Sequence, residues 1–226
     1  MSKRPAPAFL FDMDGTLVDS VYQHVLAWRE ALDTEGIDLS VWRIHRRIGM
    51  SGGLFANALF RETELELVPD RLERLRHLHA DAYRRRASEV RPLPGARELL
   101  DALDEAGIPW AVATSGRLVT AGPNLEALGI SPERAPIVTR DDVRYAKPDP
   151  DLFLAAAERL GVDVATTTVV GDSVWDMLAA QRARALGIGL LSGGYGLGEL
   201  QEAGAYRVFE DPADLLEHLD EVGGRR

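Results

Sequence analysis

Apolar residues fall into two regimes along the 226-residue chain. Ala8 to Phe11 form a short apolar run ending at Asp12, the pattern of a buried strand that delivers its last residue to a strand-end crevice. From 18 to 87 the pattern turns helical: Leu17, Val21, Val25, Trp28 and Leu32 recur at spacings of three or four, as do Leu72, Leu75 and Leu78. Glu35-Gly36, and Gly49 with Gly52-Gly53, break this stretch into several helices. Arg91-Pro92-Leu93-Pro94-Gly95 closes it, because two prolines and a glycine stop a helix and turn the chain.

Beyond that linker, helices and strands alternate. The pattern predicts helices over 96–106, 118–128, 150–160 and 174–185, and strands over 109–114, 137–138, 167–171 and 188–191. Such alternation specifies a parallel α/β sheet with helices on both faces. The first strand needs those later strands as neighbours. The expected fold is therefore a doubly wound α/β core, residues 1–17 and 88–226, with a helical domain inserted at 18–87.

Composition narrows the chemistry by exclusion. Zero cysteines remove thiol nucleophiles, disulfide scaffolds and cysteine zinc sites. A net charge of −10 argues against nucleic acid or an anionic membrane as the main partner. Small anionic ligands remain open, since helix ends and cations override net charge locally. The N-terminal stretch meets Asp12 and Asp14 after too few apolar residues for a secretion signal, and no run of about 18 apolar residues follows, so a cytoplasmic protein is expected.

In an open α/β sheet, functional groups gather beyond the carboxyl ends of the strands. Four groups fall there: Asp12-Met13-Asp14-Gly15-Thr16, Thr114-Ser115-Gly116, Lys147-Pro148, and Gly171-Asp172-Ser173 followed by Asp176. Converging carboxylates repel unless they share protons or a cation. A hard oxygen donor set without histidine or cysteine suits Mg²⁺. Lys147, the Thr114 hydroxyl and the N–H groups near Ser115 and Gly116 would hold phosphate oxygens. One carboxylate is then free to attack phosphorus and a second to handle protons, so phosphoryl transfer is expected.

FDMDGTLVDS, ATSG, the lysine of KPDPD and GDSVWDM resemble, in that order, the four motifs of the haloacid dehalogenase superfamily. The resemblance runs over nearly the whole chain, and is to the branch with a helical cap that includes phosphoglycolate phosphatase-like enzymes and β-phosphoglucomutase. It implies a Rossmann-like core, Asp12 as the nucleophile that forms an aspartyl phosphate, and Asp14 as acid for the leaving oxygen and then base for water. It also implies Thr114 and Lys147 as phosphoryl ligands. Mg²⁺ would be held by Asp12, the backbone carbonyl of Asp14 and Asp172, with Asp176 in support. The protein so described is a Mg²⁺-dependent phosphatase of a small phosphorylated metabolite, a monomer or homodimer.

Several other features admit rival readings. Gly49-Met50-Ser51-Gly52-Gly53 matches the G-x-S-x-G of serine hydrolases, but the approach through Arg43, His45, Arg46 and Arg47 is not a buried strand. It reads instead as a glycine-rich loop facing the crevice, with Ser51 and Arg47 as substrate contacts; a solvated surface suits Arg46 and Arg47 equally. His77 and His79, two apart on a helix, point to different sides and read as surface residues. Ser192-Gly193-Gly194-Tyr195-Gly196 has no P-loop lysine after it and reads as an ordinary loop following the last core strand.

His24 reads as a packing residue. However, Asp19 to His24 followed by Trp28 resembles the β-phosphoglucomutase stretch in which a cap histidine contacts the acid/base aspartate. A mutase would return its phosphoryl group to a sugar phosphate rather than lose it to water. Gly171 stands where the mutase pattern has an acid, and Gly52 where it has a phosphate-binding arginine, so phosphatase leads. Dehalogenases of the superfamily lack the second aspartate, which speaks against dehalogenation. No lysine for a Schiff base occurs between Val18 and Ala87, which excludes phosphonate hydrolysis. A non-catalytic phosphate-binding relative would be expected to lack one of these groups, and none is missing.

Overall fold

Strand β1 (Ala8–Phe11) is the first apolar run, buried along its whole length. The structure, a computed structural model, describes residues 7–50, 52–63 and 69–224. Successive strand residues face opposite sides, so Phe9 and Phe11 enter one core and Leu10 another. After β1 come four helices: α1 (Val21–Thr34), α2 (Val41–His45), α3 (Gly52–Thr63) and α4 (Pro69–Arg86). They share an apolar cluster of their own, in which Val25, Trp28 and Leu32 of α1 meet Ile44, Phe55, Leu59 and Leu75.

The chain leaves for these helices and returns at one place. Val18 bridges Pro92 in antiparallel fashion, the Asp19 N–H donates to the Arg91 carbonyl at 2.9 Å, and the Leu93 N–H donates to the Leu17 carbonyl at 2.9 Å.

The remainder alternates: α5 (Ala96–Ala106), β2 (Trp110–Ala113), α6 (Leu118–Leu128), β3 (Ile137–Val138), α7 (Asp151–Leu160), β4 (Thr167–Gly171), α8 (Val174–Ala183) and β5 (Leu186–Leu190). Then follow α9 (Leu197–Glu202), β6 (Arg207–Phe209) and α10 (Pro212–Glu217). Among the described residues the six strands are all parallel, in the order β3-β2-β1-β4-β5-β6. Leucines of α5, α6 and α10 pack on Phe9 and Phe11, while α7 and α8 cover Leu10 and Val169 on the opposite face.

Two expectations are corrected. The strand expected at 188–191 spans Leu186–Leu190, and it is not the last, since β6 pairs outside it. β6 gives little sequence signal because it has only three residues, of which Arg207 is exposed and Val208 half-buried. The order of the sheet reverses around β1, with β2 and β3 on one side and β4 to β6 on the other. That reversal opens a crevice at the carboxyl end of β1.

Candidate active site

Asp12 follows β1 directly and is buried, its N–H donating to the Val170 carbonyl at 2.9 Å. Asp172 follows β4. Next comes Ser173, the N-cap of α8, whose hydroxyl and N–H donate to Asp176 Oδ2 at 2.5 Å and 3.1 Å. The N–H bond is the half of a capping box that an acid three positions after a serine supplies at a helix start. It leaves the other Asp176 oxygen, Oδ1, 2.9 Å from Lys147 Nζ. The same ammonium ion-pairs with Asp12, in a slot where Lys147 is fully buried beside the Phe153 ring.

Asp12, Asp172 and Asp176 each bring a carboxylate oxygen within 4.8 Å of the others. Three carboxylates against one ammonium leave an excess of two negative charges when all are ionised. Burial pushes the Asp12 carboxyl up to about 7; Lys147 opposes the rise, and Asp176 and Asp14 add to it. Burial, with Asp176 and Asp12 nearby, also raises Asp172 well above the carboxylate range, against the hydrogen bond from Thr16 (3.0 Å). Burial works against the Lys147 charge, but Asp12 and Asp176 hold its pKa above the ordinary lysine value. The donor set is all oxygen and the deficit is two positive charges, so these residues fit a hard divalent cation.

The neighbourhood leaves no slack. Gly15 adopts φ +85°, and a Cβ there would stand 2.6 Å from Asp172 Oδ2. A Cβ on Gly193 would fall 1.7 Å from the same oxygen. One on Gly171 would lie 2.3 Å from Asp176 Cβ, so the acid of the mutase pattern has no room at that position.

Asp14 lies outside the three-carboxylate group and is held separately. Its Oδ1 accepts from Ser20 Oγ at 2.7 Å and Asn124 Nδ2 at 3.2 Å, and meets His24 Nε2 at 3.3 Å. Burial would raise this carboxyl, but His24 and the Ser20 hydroxyl outweigh it and hold Asp14 below its ordinary value. Thr114 Oγ1 approaches Asp14 Oδ2 at 3.5 Å and accepts from the Gly116 N–H at 2.9 Å. Ser115 Oγ donates to the Gly49 carbonyl at 2.9 Å, tying the strand-end loop to the inserted helices.

Asp12, Asp14, His24, Arg47, Thr114, Ser115 and Gly116 all line one cavity of about 160 Å³, whose opposite wall includes Trp28, Met50, Phe55 and His79. Lys147, Asp172 and Asp176 lie behind Asp12, linked to it through the ion pairs and the carboxylate group. Arg47 also ion-pairs with Glu62. Arg46 faces the core instead, pairing with Glu199 of α9 and lying 4.1 Å from the centre of the Tyr195 ring. Ser51 lies outside the described residues.

One reading of the sequence is overturned here. His77 is exposed, but His79 is not a surface residue: it stacks on Trp28 at 4.2 Å and meets His24 at 3.1 Å. Leu75, His79, Ala82 and Tyr83 share one face of α4 at spacings of four, seven and eight, a signal that was available in the sequence. The 192–196 segment is a turn and loop after β5, as expected, tethered to both the β1 end and the inserted helices. Ser192 Oγ donates to the Gly15 carbonyl at 2.6 Å, and the Gly193 carbonyl lies 2.8 Å from His45 Nε2. Tyr83 and Asn124 were not anticipated at all; Asn124 donates to the Tyr83 hydroxyl at 2.7 Å as well as to Asp14.

Comparison with known proteins agrees with this geometry. Residues 6–184 match the model of the haloacid dehalogenase-like hydrolases, and the chain belongs to that family. It is 34% identical over 196 residues to a phosphoglycolate phosphatase of Agrobacterium fabrum, covering 85% of this chain and 84% of that one. It is 30% identical over 226 residues to an N-acetylmuramic acid 6-phosphate phosphatase of Pseudomonas aeruginosa, covering 97% of each. A hydrolase of Pseudomonas syringae superimposes with a TM-score of 0.94 at 57% identity, over 96% of this chain and 99% of that one.

Proposed function

We propose that this enzyme is a Mg²⁺-dependent phosphomonoesterase that acts on a small phosphorylated metabolite in the cytoplasm. One observation carries the reading: two differently held carboxylates, Asp12 paired with Lys147 and Asp14 bonded to Ser20, His24 and Asn124, line the same cavity. Pairs of acids whose surroundings drive their pKa values apart divide nucleophile from proton carrier. Without a cation Asp12 is the raised group and Asp14 the lowered one. With a divalent cation at the three-carboxylate group, Asp12 would come down to the ionised form a nucleophile needs, and the phosphoryl dianion would raise Asp14 towards the protonated form of an acid.

Asp12 attacks phosphorus, the bond from phosphorus to the leaving oxygen breaks, and that oxygen takes a proton from Asp14. The dianionic phosphoryl group entering beside Asp14 raises its affinity for the proton it must first carry. A water then gives a proton to Asp14 and adds to phosphorus, and the bond to Asp12 breaks to release phosphate. Thr114, Lys147 and the N–H groups of Ser115 and Gly116 orient the phosphoryl oxygens. Asp12, Asp172 and the Asp14 carbonyl, with Asp176 in support, would hold Mg²⁺, which supplies charge neutralisation at the phosphoryl group.

In this reading residues 18–87 form a cap over a core of 1–17 and 88–226. Its closure excludes bulk water, and Arg47, which lines the cavity, touches the substrate. The phosphatase names carried by the relatives support phosphoglycolate and N-acetylmuramic acid 6-phosphate as first substrates to try.

The test is phosphate release from a panel of esters, including phosphoglycolate, hexose 6-phosphates, β-glucose 1-phosphate and p-nitrophenyl phosphate, with Mg²⁺ and with chelator. Release is expected only with Mg²⁺, which should also raise the melting temperature of the folded protein. Conversion of β-glucose 1-phosphate to glucose 6-phosphate without free phosphate would replace hydrolysis by mutase chemistry. Asp14→Asn is expected to lower kcat/KM for alkyl phosphates about a hundredfold or more, the usual worth of a general acid. The loss should be smaller for p-nitrophenyl phosphate, whose leaving oxygen needs no proton. Equal losses on both would remove Asp14 as the acid.

A further inference from the structure

The Asp14 contact with His24 continues past His24. His24 Nε2 lies 3.3 Å from Asp14 Oδ1, and its other ring nitrogen, Nδ1, lies 3.1 Å from His79 Nε2. An imidazole with a carboxylate at one nitrogen and a partner at the other has its orientation and protonated position set by that partner. His79 is suited to the task because it is itself immobilised. Its ring stacks on Trp28 with centroids 4.2 Å apart, and Trp28 is backed on Phe55 at 4.4 Å. The His24 ring lies on Tyr83 at 3.9 Å and 4° between planes, a stack that fits the ring equally well after a half-turn about Cβ–Cγ, which exchanges Nδ1 with Cδ2 and Nε2 with Cε1. Stacking alone therefore leaves open both the ring flip and the tautomer. A bond donated by His79 Nε2–H to Nδ1 fixes both and leaves the His24 proton on Nε2, towards Asp14.

We propose that His79 is a positioning residue for the reaction: it fixes His24 with Nε2–H donated to Asp14, and so holds the proton-carrying carboxylate in one geometry. Burial and the adjacent His24 keep the His79 pKa well below the usual histidine value, consistent with a neutral ring acting through a hydrogen bond rather than a charge. The kinetic part of this inference rests on the phosphatase reading; the placement of His24 does not.

The test compares His79→Phe, which keeps a ring against Trp28 but removes the hydrogen bond, with His79→Gln, which can restore a side-chain donor or acceptor near Nε2. Long-range ¹H–¹⁵N correlation spectra of the five histidines, assigned by a His24→Gln control, read the state of His24 directly. In the wild type a single His24 state protonated on Nε2 is expected. In His79→Phe both His24 nitrogen shifts should move, and in His79→Gln they should return towards wild type. Unchanged His24 shifts in His79→Phe overturn the proposal whether or not any ester is turned over.

For kinetics, kcat/KM is compared between an alkyl phosphate and p-nitrophenyl phosphate, because it reports the step that expels the leaving group. His79→Phe should lose about tenfold or more on the alkyl ester, the lower end of the loss seen when an outer partner of a functional histidine is removed. The aryl ester should be spared, and His79→Gln should recover much of the alkyl rate. Equal losses on both esters, without rescue by glutamine, would mean that His79 only packs the cavity wall, and would overturn the proposal. Failure of the phosphatase reading would look different, as absent release or as release that persists in Asp12→Asn.

Discussion

Asp12→Asn is expected to abolish phosphate release while leaving a folded protein that gains stability at alkaline pH when metal-free. The amide is nearly isosteric with the carboxylate but cannot attack phosphorus. Residual release above about one hundredth of the wild-type rate would remove Asp12 as the nucleophile. The stability change follows from proton linkage. Folding raises the Asp12 pKa from 3.8 to about 7, so between those values the native state binds more protons at this position than the unfolded chain does. Wild-type stability therefore falls as pH rises through that window, and above about 7 the whole penalty of a buried, crowded anion is present. Asparagine removes the penalty. The variant's advantage in urea melts should be largest near pH 8 and fade as pH drops towards 4. A constant difference across that range would mean that Asp12 is not the strained acid.

Lys147→Met is expected to have the larger structural effect. Methionine fills most of the slot beside Phe153 but leaves Asp12, Asp172 and Asp176 without their buried ammonium. Breaking a buried pair by removing one partner typically destabilises by about 3–5 kcal/mol. Lower pH should return part of the loss, because protonating the stranded carboxyls removes the repulsion; a divalent cation should do the same. Activity should be lost in either condition, since the phosphoryl group loses its ligand. Lys147→Arg is not expected to rescue, because a fully buried slot shaped for a compact ammonium has no room for a planar fork. Equal urea midpoints for Lys147→Met and wild type at pH 8 would show that the carboxylates are neutral without the lysine.

The strand-end residues were legible because β1 and β4 announce themselves as apolar runs and deliver acids at their ends. Lys147 had a further signal that composition alone could have raised: only Lys3 and Lys147 are lysines among 26 basic residues, in a chain that otherwise uses arginine. The partners of Asp14 were harder to read. Ser20 and Asn124, which donate to Asp14, and Tyr83, which accepts from Asn124, come from the start of α1, from α6 and from α4, and no local pattern says that those three meet. His79 was misread because its neighbour His77 set the frame, whereas its spacing from Leu75, Ala82 and Tyr83 placed it inward. β6 escaped because a three-residue edge strand has no run long enough to show a period.

The paired crossings at Val18 and Pro92 have a consequence for how such a chain can change. Leu17, Asp19, Arg91 and Leu93 close the two ends of the helical insertion against each other with backbone hydrogen bonds. To the sheet, everything between them is one loop whose ends are already joined, and the entropy of closing a loop grows only slowly with its length. A replacement segment of different size or shape could be spliced at that junction without re-registering a single strand. The register of the sheet is thus independent of the insertion's length, while the insertion still supplies Ser20 and His24 to Asp14 and one wall of the cavity.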